Sequence, residues 1–310
     1  MNPLELPAAA PMENTLGNIQ DFGMDTISLA GTLPAKLAAV RNAGFSQIMV
    51  SARDVVGYAE GIDAAVAAVR GSGLRVTGFQ VLRDFEGLSG QLHEYKIDVA
   101  KSMLEMCRAV GAKVLLVCSS TSTDATDDPD AIARDLGKLA TLALPVGIKV
   151  AYEGLSGGRV SNEFTTAWDV ICRADAPNLG IGIDSFHGFA TNTALDDLDL
   201  LSPEKIFLVQ LADFMWQEVR ADEEHGTTAH HFRVFPGEGV DSAALAELVT
   251  RLDRIGYRGD YSFQVFNDDY QQMPLPVVAE RARRAALWLA EGVLRRAVPL
   301  PNRIRLRTGH

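Results

Sequence analysis

Four short apolar segments of the chain each end in a side chain that can offer an oxygen to a metal ion. They are residues 148–153, 181–184, 206–210 and 261–264, and they end in Glu153, Asp184, Gln210 and Gln264. Carboxylate and amide oxygens suit hard or borderline divalent cations such as Mg²⁺, Mn²⁺ or Co²⁺. If the segments are neighbouring strands, two acids are buried side by side, which is costly unless a cation neutralises them. The pattern therefore predicts a divalent-metal site.

A histidine, His187, follows Asp184 by three residues, just beyond the end of its segment. Three roles are open to it: metal ligand, acid–base residue, or a side chain that packs a loop. The acid–base role is favoured because imidazole titrates near neutral pH.

Two arginines, Arg83 and Arg233, are candidates for binding an anionic substrate, since a guanidinium can hold a carboxylate through two hydrogen bonds. Surface salt bridges are the alternative for each of them. His230 and His231 are adjacent in the sequence. On an extended segment their side chains point to opposite sides, so at most one of them faces the site.

A scaffold that brings these side chains together is predicted from the alternation of apolar strands with helical segments. The predicted strands cover 24–29, 47–51, 75–80, 114–118, 148–153, 181–184, 206–210 and 261–266. The predicted helices cover 34–44, 62–70, 92–110, 129–144, 164–173, 194–201, 242–255 and 276–295. Continuous apolar strands are typical of parallel sheets buried on both faces. The pattern predicts an α/β fold, a (β/α)8 TIM barrel of one domain, with its site at the C-terminal strand ends.

The barrel is expected to span residues 21–297, between an irregular arm at 1–20 and a basic tail at 298–310. Residues 212–239 form the longest segment without clear periodicity. Segments of this length in a compact domain are usually functional or mobile. We therefore predict that residues 212–239 cover the mouth of the barrel and bring Arg233 to a substrate carboxylate.

Composition excludes several classes of partner. The net charge of −11 argues against binding nucleic acid. No apolar run approaches the ~20 residues that span a membrane, and the N-terminus lacks the pattern of a secretory signal. We therefore expect a cytoplasmic protein with a small-molecule partner, while the basic tail leaves a homo-oligomer open. The three cysteines include no CxxC pair, which argues against a disulfide framework and a thiolate metal site.

Taken together, six motifs resemble the xylose-isomerase-like TIM-barrel superfamily, and within it the bacterial 3-dehydroshikimate dehydratases. No motif is specific when taken alone, but the combination covers residues 24–290. The motifs are Arg83–Gly87, Ala151–Gly154, Asp184–His187, Val209–Asp213, His231–Gly237 and Val265–Asp268.

The resemblance implies a role for each matching residue. Metal ligands are implied at Glu153, Asp184 and Gln210, an acid–base residue at His187, and substrate contacts at Arg83 and Arg233, to which we add Glu86 and His231 from the same motifs. The family usually has Glu where this chain has Gln264. An amide oxygen can still coordinate, but it adds no charge and cannot act as a base. Ala229 and His230 also depart from the family pattern, in which a small hydroxyl residue and Arg are frequent.

Three functions are consistent with this pattern. The resemblance implies a metal-dependent lyase that converts 3-dehydroshikimate to protocatechuate, with His187 removing the proton next to the ketone. A sugar or inositol isomerase or epimerase of the same superfamily is the alternative, but such enzymes use two Glu residues as acid and base. Gln264 removes one of them. A non-catalytic binding protein or degenerate paralogue is the third hypothesis, and Gln264 is its only support.

Overall fold

The computed structural model describes residues 19–215 and 231–295. The predicted tail, nearly all of the predicted N-terminal arm, and residues 216–230 of the predicted mouth segment lie outside the described residues.

Within the described residues, eight parallel strands close into a barrel, which confirms the predicted fold class. Neighbouring strands follow chain order, and the last strand closes the barrel by pairing with both the seventh and the first. The barrel strands are β1 (Phe22–Asp25), β2 (Gln47–Ser51), β3 (Arg75–Arg83), β4 (Val114–Cys118), β5 (Lys149–Glu153), β6 (Leu179–Asp184), β7 (Ile206–Leu211) and β8 (Tyr261–Phe263).

The strands are continuous apolar runs because both of their faces are buried. Every residue of β2, β4 and β6 is buried. The outer faces join the large core cluster, while Met49, Leu116, Ala151 and Leu208 belong to a separate cluster inside the barrel. A closed barrel of this size is filled by its own side chains. Polar groups can therefore gather only at its ends.

Helices surround the barrel, and one of them begins and another ends where the sequence predicts. Asp128 caps the helix that starts at Pro129, and Gly111, with φ of 89°, ends the helix before β4. No helix in the described part of the chain is long and apolar enough to cross a membrane. The α-helices are Leu33–Asn42, Ala52–Val56, Ile62–Gly71, Gly90–Val110, Pro129–Ala143, Phe164–Ala174, Ser185–Ala190, Ser242–Ile255, Asp268–Gln272 and Leu275–Leu287.

The first strand differs from the predicted range 24–29. It ends at Asp25, whose Oδ1 accepts a hydrogen bond of 3.0 Å from the backbone N–H of Ile27. This contact caps the 3-10 turn Thr26–Ser28. A local side-chain bond to the backbone thus ends the strand although the apolar pattern continues.

Two later elements also differ from prediction. The strand predicted over 261–266 ends at Phe263, so Gln264 lies one residue beyond β8. The helix predicted over 194–201 is the 3-10 helix Leu195–Leu200. Its three aspartates are weak formers of helix interiors because their side chains compete for backbone donors.

The described ends of segment 212–239 form a two-stranded antiparallel ribbon, Asp213–Phe214 with Arg233–Val234. Asp213 is fully buried and anchors the ribbon. Its carboxylate accepts hydrogen bonds from the backbone N–H groups of Phe214, Gly239 and Asp241, and from the hydroxyl of Ser242 at 2.7 Å. The ribbon fixes the position at which Arg233 enters the barrel mouth.

We expect Asp213→Ala to lower the free energy of unfolding by about 3 kcal/mol, because several buried donors lose their acceptor. Ser242→Ala removes one of the same hydrogen bonds and should cost about 1 kcal/mol. Urea denaturation of the two variants measures the difference. Equal losses would contradict the anchoring role of Asp213.

Candidate metal centre

The four residues Glu153, Asp184, Gln210 and Gln264 are called here the strand-end ligands. Glu153 and Asp184 are the last residues of β5 and β6, and Asp184 pairs in register with Gln210 of β7. All four are buried. Glu153, Asp184 and His187 place one ligand atom each within 4.8 Å of one another. The C-terminal ends of β5 to β8 therefore converge as the sequence predicts.

Asp184 is oriented by two contacts. Its Oδ1 accepts a hydrogen bond of 2.9 Å from the backbone N–H of Phe186 and caps the helix Ser185–Ala190. Its Oδ2 accepts one of 2.7 Å from Nη1 of Arg233. The carboxylate is thus held in one orientation by the protein itself.

Two buried oxygens of this group have no hydrogen-bond partner among the described residues. They are Oε2 of Glu153 and Oε1 of Gln210. Glu153 is 2% exposed and Gln210 is fully buried. A buried oxygen without a donor is destabilising. A divalent cation accepts oxygen ligands of both kinds, so the donor set fits such an ion.

The charges at the site point to the same kind of ligand. Burial raises the pKa of Glu153 to about 8, repulsion by Asp184 adds to the effect, and Arg233 opposes it. Two carboxylates thus face one buried guanidinium. A cation bound between them would favour the ionised form of Glu153.

The ring of His187 has a defined hydrogen-bonding arrangement. Its Nδ1 accepts a hydrogen bond of 3.1 Å from the backbone N–H of Ser156. The neutral imidazole therefore carries its proton on Nε2, which lies 3.8 Å from Oδ2 of Asp184. In this state His187 can donate a hydrogen bond from Nε2 but has no free nitrogen to act as a base.

Arg233 is buried rather than held out to a substrate. Its Nη1 bonds to Asp184, as described above, and lies 3.3 Å from Oε1 of Gln264. The guanidinium lies 4.3 Å from the ring of Phe186 and 5.4 Å from that of Phe266. The predicted carboxylate clamp is thus placed in the wall of the site, where its charge offsets that of a ligand.

An open cavity lies over these groups. Arg83 is exposed on its wall, as expected for a substrate contact. The wall also includes Glu153, His187, Arg233, Gln264 and the thiol-bearing Cys118. The cavity therefore brings most of the predicted site residues together.

Glu86 does not line this cavity, so its assignment as a substrate contact gains no support from the structure. It is 1% exposed, and its Oε1 accepts hydrogen bonds from the backbone N–H of Ser120 and the hydroxyl of Tyr152. It ties the loop after β4 to β5. These contacts give Glu86 a structural role in holding the loop.

His231 is also placed away from the cavity wall. It is exposed, and its Nδ1 lies 3.0 Å from both carboxylate oxygens of Asp268. Its assignment as a substrate contact gains no support from this geometry. Its neighbour His230 lies outside the described residues, as does Ala229.

Two residues that contact the site, Gln80 and Asp25, were not predicted from the sequence. Gln264 donates from Nε2 to Oε1 of Gln80 at 2.8 Å, and Gln80 donates in turn to Asp25. A signal was present for Gln80, because it is the last residue of the predicted third strand. Polar residues at barrel strand ends are the ones to examine.

The chain belongs to the xylose isomerase-like TIM-barrel family, whose model matches residues 37–291. Over 270 residues it is 36% identical to a 3-dehydroshikimate dehydratase of Pseudomonas aeruginosa, which aligns 86% of this chain with 41% of that protein. The chain therefore spans less than half the length of this relative.

Two solved structures share the fold. A xylose isomerase-like TIM barrel/4-hydroxyphenylpyruvate dioxygenase fusion protein is 30% identical, with a TM-score of 0.82 over 93% of this chain and 44% of that one. The IOLI protein with a binding zinc atom is 20% identical, with a TM-score of 0.75 over 88% of this chain and 99% of that one. At 20% identity the likeness shows the fold alone.

If Glu153 binds a metal, the same substitution should have different effects on metal affinity at two buried glutamates. Glu153→Gln should weaken Mn²⁺ binding by about 10-fold or more, because ligand charge sets the affinity of oxygen-ligated cations. Glu86→Gln is the matched control, since Glu86 is equally buried and also has an unpartnered Oε2. Its Mn²⁺ affinity should equal that of the original protein. Titration calorimetry measures both, and equal affinities in all three proteins would contradict the site.

The metal-free protein should lose stability as pH rises from about 4.5 to 8. In this window the folded state keeps a proton on Glu153 that the unfolded chain releases, because burial raises the pKa of Glu153 to about 8. Glu153→Gln should remove part of the slope, since Asp25, with a pKa of about 8, and Glu86, whose pKa burial also raises, contribute in the same direction. Thermal unfolding in chelator across this range tests the prediction, and an unchanged slope would contradict it.

Proposed function

We propose that this protein is a metal-dependent lyase that removes water from a small cyclic hydroxy-keto acid, with 3-dehydroshikimate as the substrate and protocatechuate as the product. The observation that carries the proposal is the convergence of Glu153, Asp184 and His187 beneath an open cavity. The similarity to a 3-dehydroshikimate dehydratase supports the choice of substrate. Because this chain spans 41% of that relative, the activity of the whole relative is not carried over directly.

The metal would be held by Glu153, Asp184 and Gln210, with Gln264 as a neutral fourth oxygen. When bound, a divalent ion supplies a Lewis acid that polarises a ketone oxygen. Mg²⁺, Mn²⁺ and Co²⁺ are the candidates that the oxygen-rich donor set favours. The zinc of the similarly folded IOLI protein agrees with a divalent ion without selecting one.

The side chains of this protein would handle the proton and the leaving hydroxyl. With both ring nitrogens protonated and Nδ1 donating to the hydroxyl of Ser156 at 3.0 Å, His187 would give its Nε2 proton to the departing hydroxyl and return to the neutral form. With Oε2 of Glu153 on the metal, the other carboxylate oxygen, Oε1, would accept the proton next to the ketone. One proton and one hydroxyl leave as water, and aromatisation of the product drives the reaction. This exchanges the base role expected for His187 for an acid role.

The exposed guanidinium of Arg83 supplies the positive charge for the substrate carboxylate. Arg233 cannot turn outward for this task without breaking its bond to Asp184. Arg83 would therefore bind the carboxylate of a small anionic substrate while Glu153 and His187 act on its ketone and hydroxyl.

The amide at position 264 disfavours an isomerase or epimerase. Such enzymes need a proton carrier on each face of the substrate. Gln264 has no titratable group and is hydrogen-bonded at both ends, to Arg233 and to Gln80. A lyase needs only the proton carriers that Glu153 and His187 provide.

The test is turnover of 3-dehydroshikimate, followed by protocatechuate absorbance, after chelation and reloading with Mg²⁺, Mn²⁺ or Co²⁺. Activity should vanish with the metal and return with it. His187→Gln should lower kcat by about 100-fold or more while Mn²⁺ affinity stays within a few-fold, since general acid–base catalysis contributes that much.

Four outcomes would overturn the proposal. Turnover that survives chelation would show that no metal is required. Turnover that survives His187→Gln would show that His187 is not the acid. Interconversion of inositol-derived ketones without loss of water would favour the isomerase. A protein that binds metal but turns over neither substrate would be a binding protein.

A further inference from the structure

Three buried amide and carboxyl side chains form one row of hydrogen bonds from β1 to the metal-binding side of the barrel mouth. Asp25 ends β1, Gln80 lies in β3, and Gln264 follows β8. Gln264 donates to Gln80, and Gln80 donates to Asp25. None of the three is more than 7% exposed. This row, Asp25–Gln80–Gln264, is called the amide relay.

The direction of the amide relay follows from the chemistry of its ends. A guanidinium only donates hydrogen bonds, so the atom of Gln264 that faces Arg233 must be the amide oxygen. The amide nitrogen of Gln264 then faces Gln80, which must present its own oxygen. The nitrogen of Gln80 is thereby directed at Asp25, where only an acceptor satisfies it. The orientations of the Gln264 and Gln80 amides are thus assigned from their hydrogen-bond donors and acceptors.

The other end of the relay is equally constrained. The second oxygen of Asp25 accepts from the backbone N–H of Ile27 and cannot turn away. The charged groups that act on Asp25 are Lys36, which attracts it, and Asp54, which repels it and is itself bonded to Lys36 at 2.8 Å. The carboxylate therefore has one position and two donors.

We propose that Asp25 is a positioning residue that acts through Gln80 to keep the amide oxygen of Gln264 on the metal-binding side. The proposal rests on the proposed metal site. It means that an acid at position 25 and an amide at position 264 are matched. Reversing the relay requires a donor at 25 and an acid at 264.

The hydrogen-bond donors within the amide relay decide which substitutions at residues 25 and 264 it can accommodate. A glutamate at 264 has no N–H for Gln80, so in Gln264→Glu the amide of Gln80 must turn and then presents its oxygen to the Asp25 carboxylate. An asparagine at 25 can donate to that oxygen. In the double variant every group of the row is satisfied again, whereas in each single variant one contact joins two donors or two acceptors.

The experiment is a double-variant cycle of Asp25→Asn and Gln264→Glu. The cycle is measured at about pH 8.5. Burial raises the pKa of Asp25 to about 8, so a pH above that value is needed for its carboxyl to be mostly ionised. In the original background Asp25→Asn should weaken Mn²⁺ binding by about 10-fold, and in the Gln264→Glu background it should tighten it by a similar factor. The change of sign is the expected result. The same direction of effect in both backgrounds would overturn the proposal.

Two controls separate positioning from general damage. Asp135→Asn neutralises another buried carboxylate, one that is bonded to Gly87 and Lys138 outside the relay, and its effect should be the same in both backgrounds. When Gln80 is replaced by Leu, Asp25→Asn should change Mn²⁺ affinity in the same direction whether residue 264 is Gln or Glu. If it kept the change of sign, the coupling would not pass through Gln80.

Thermal unfolding in chelator makes the test independent of metal binding. Each single variant should unfold at a lower temperature than the original protein, and the double variant should recover most of the loss. If the stability cycle shows this recovery but no variant binds Mn²⁺, the relay stands and the proposed metal site fails. If the stability losses simply add, the relay is overturned whether or not metal binds.

Discussion

The buried negative charge of Glu153 and Asp184 is the constraint on which the barrel mouth depends. Each of these carboxylates is at most 4% exposed, and ionising both in a water-poor setting is costly. The chain opposes this charge with Arg233, which the ribbon of Asp213–Phe214 and Arg233–Val234 delivers to Asp184. One guanidinium does not balance both acids once Glu153 ionises, and burial beside Asp184 accordingly raises the pKa of Glu153 to about 8. The remaining imbalance, together with oxygens that have no donor, defines what the site can bind.

The same constraint explains the apolar groups around Arg233. Phe186 and Phe266 lie against its guanidinium and exclude water from the ion pair. An ion pair is stronger where the effective dielectric constant is low. Asp184 also caps a helix with its other oxygen, so its orientation is set before any ligand arrives. Ligands held in this way by the protein are what a preorganised site requires.

Gln264 lowers the negative charge of the site and remains buried. A neutral oxygen in place of a carboxylate leaves a bound cation with more of its charge, and so makes a stronger Lewis acid that is held less tightly. An amide must also be oriented, because its two ends differ, whereas a carboxylate need not be. In the proposed reaction, proton transfer is assigned to Glu153 and His187 because the amide of Gln264 cannot carry a proton.

Local pattern in the sequence determined the barrel and the strand-end ligands. Apolar runs alternating with helices are read residue by residue, and a parallel barrel brings every C-terminal strand end to one mouth. Only the tertiary structure decided which partners the remaining polar groups take. Arg233 lies beyond a long aperiodic segment, and nothing near it in sequence shows that it bonds to a ligand rather than to substrate. Glu86 follows β3 in a loop whose fold turns it into the protein interior. The direction of the Gln264 amide depends on Gln80 and Asp25, which are distant in sequence and meet only when the barrel closes.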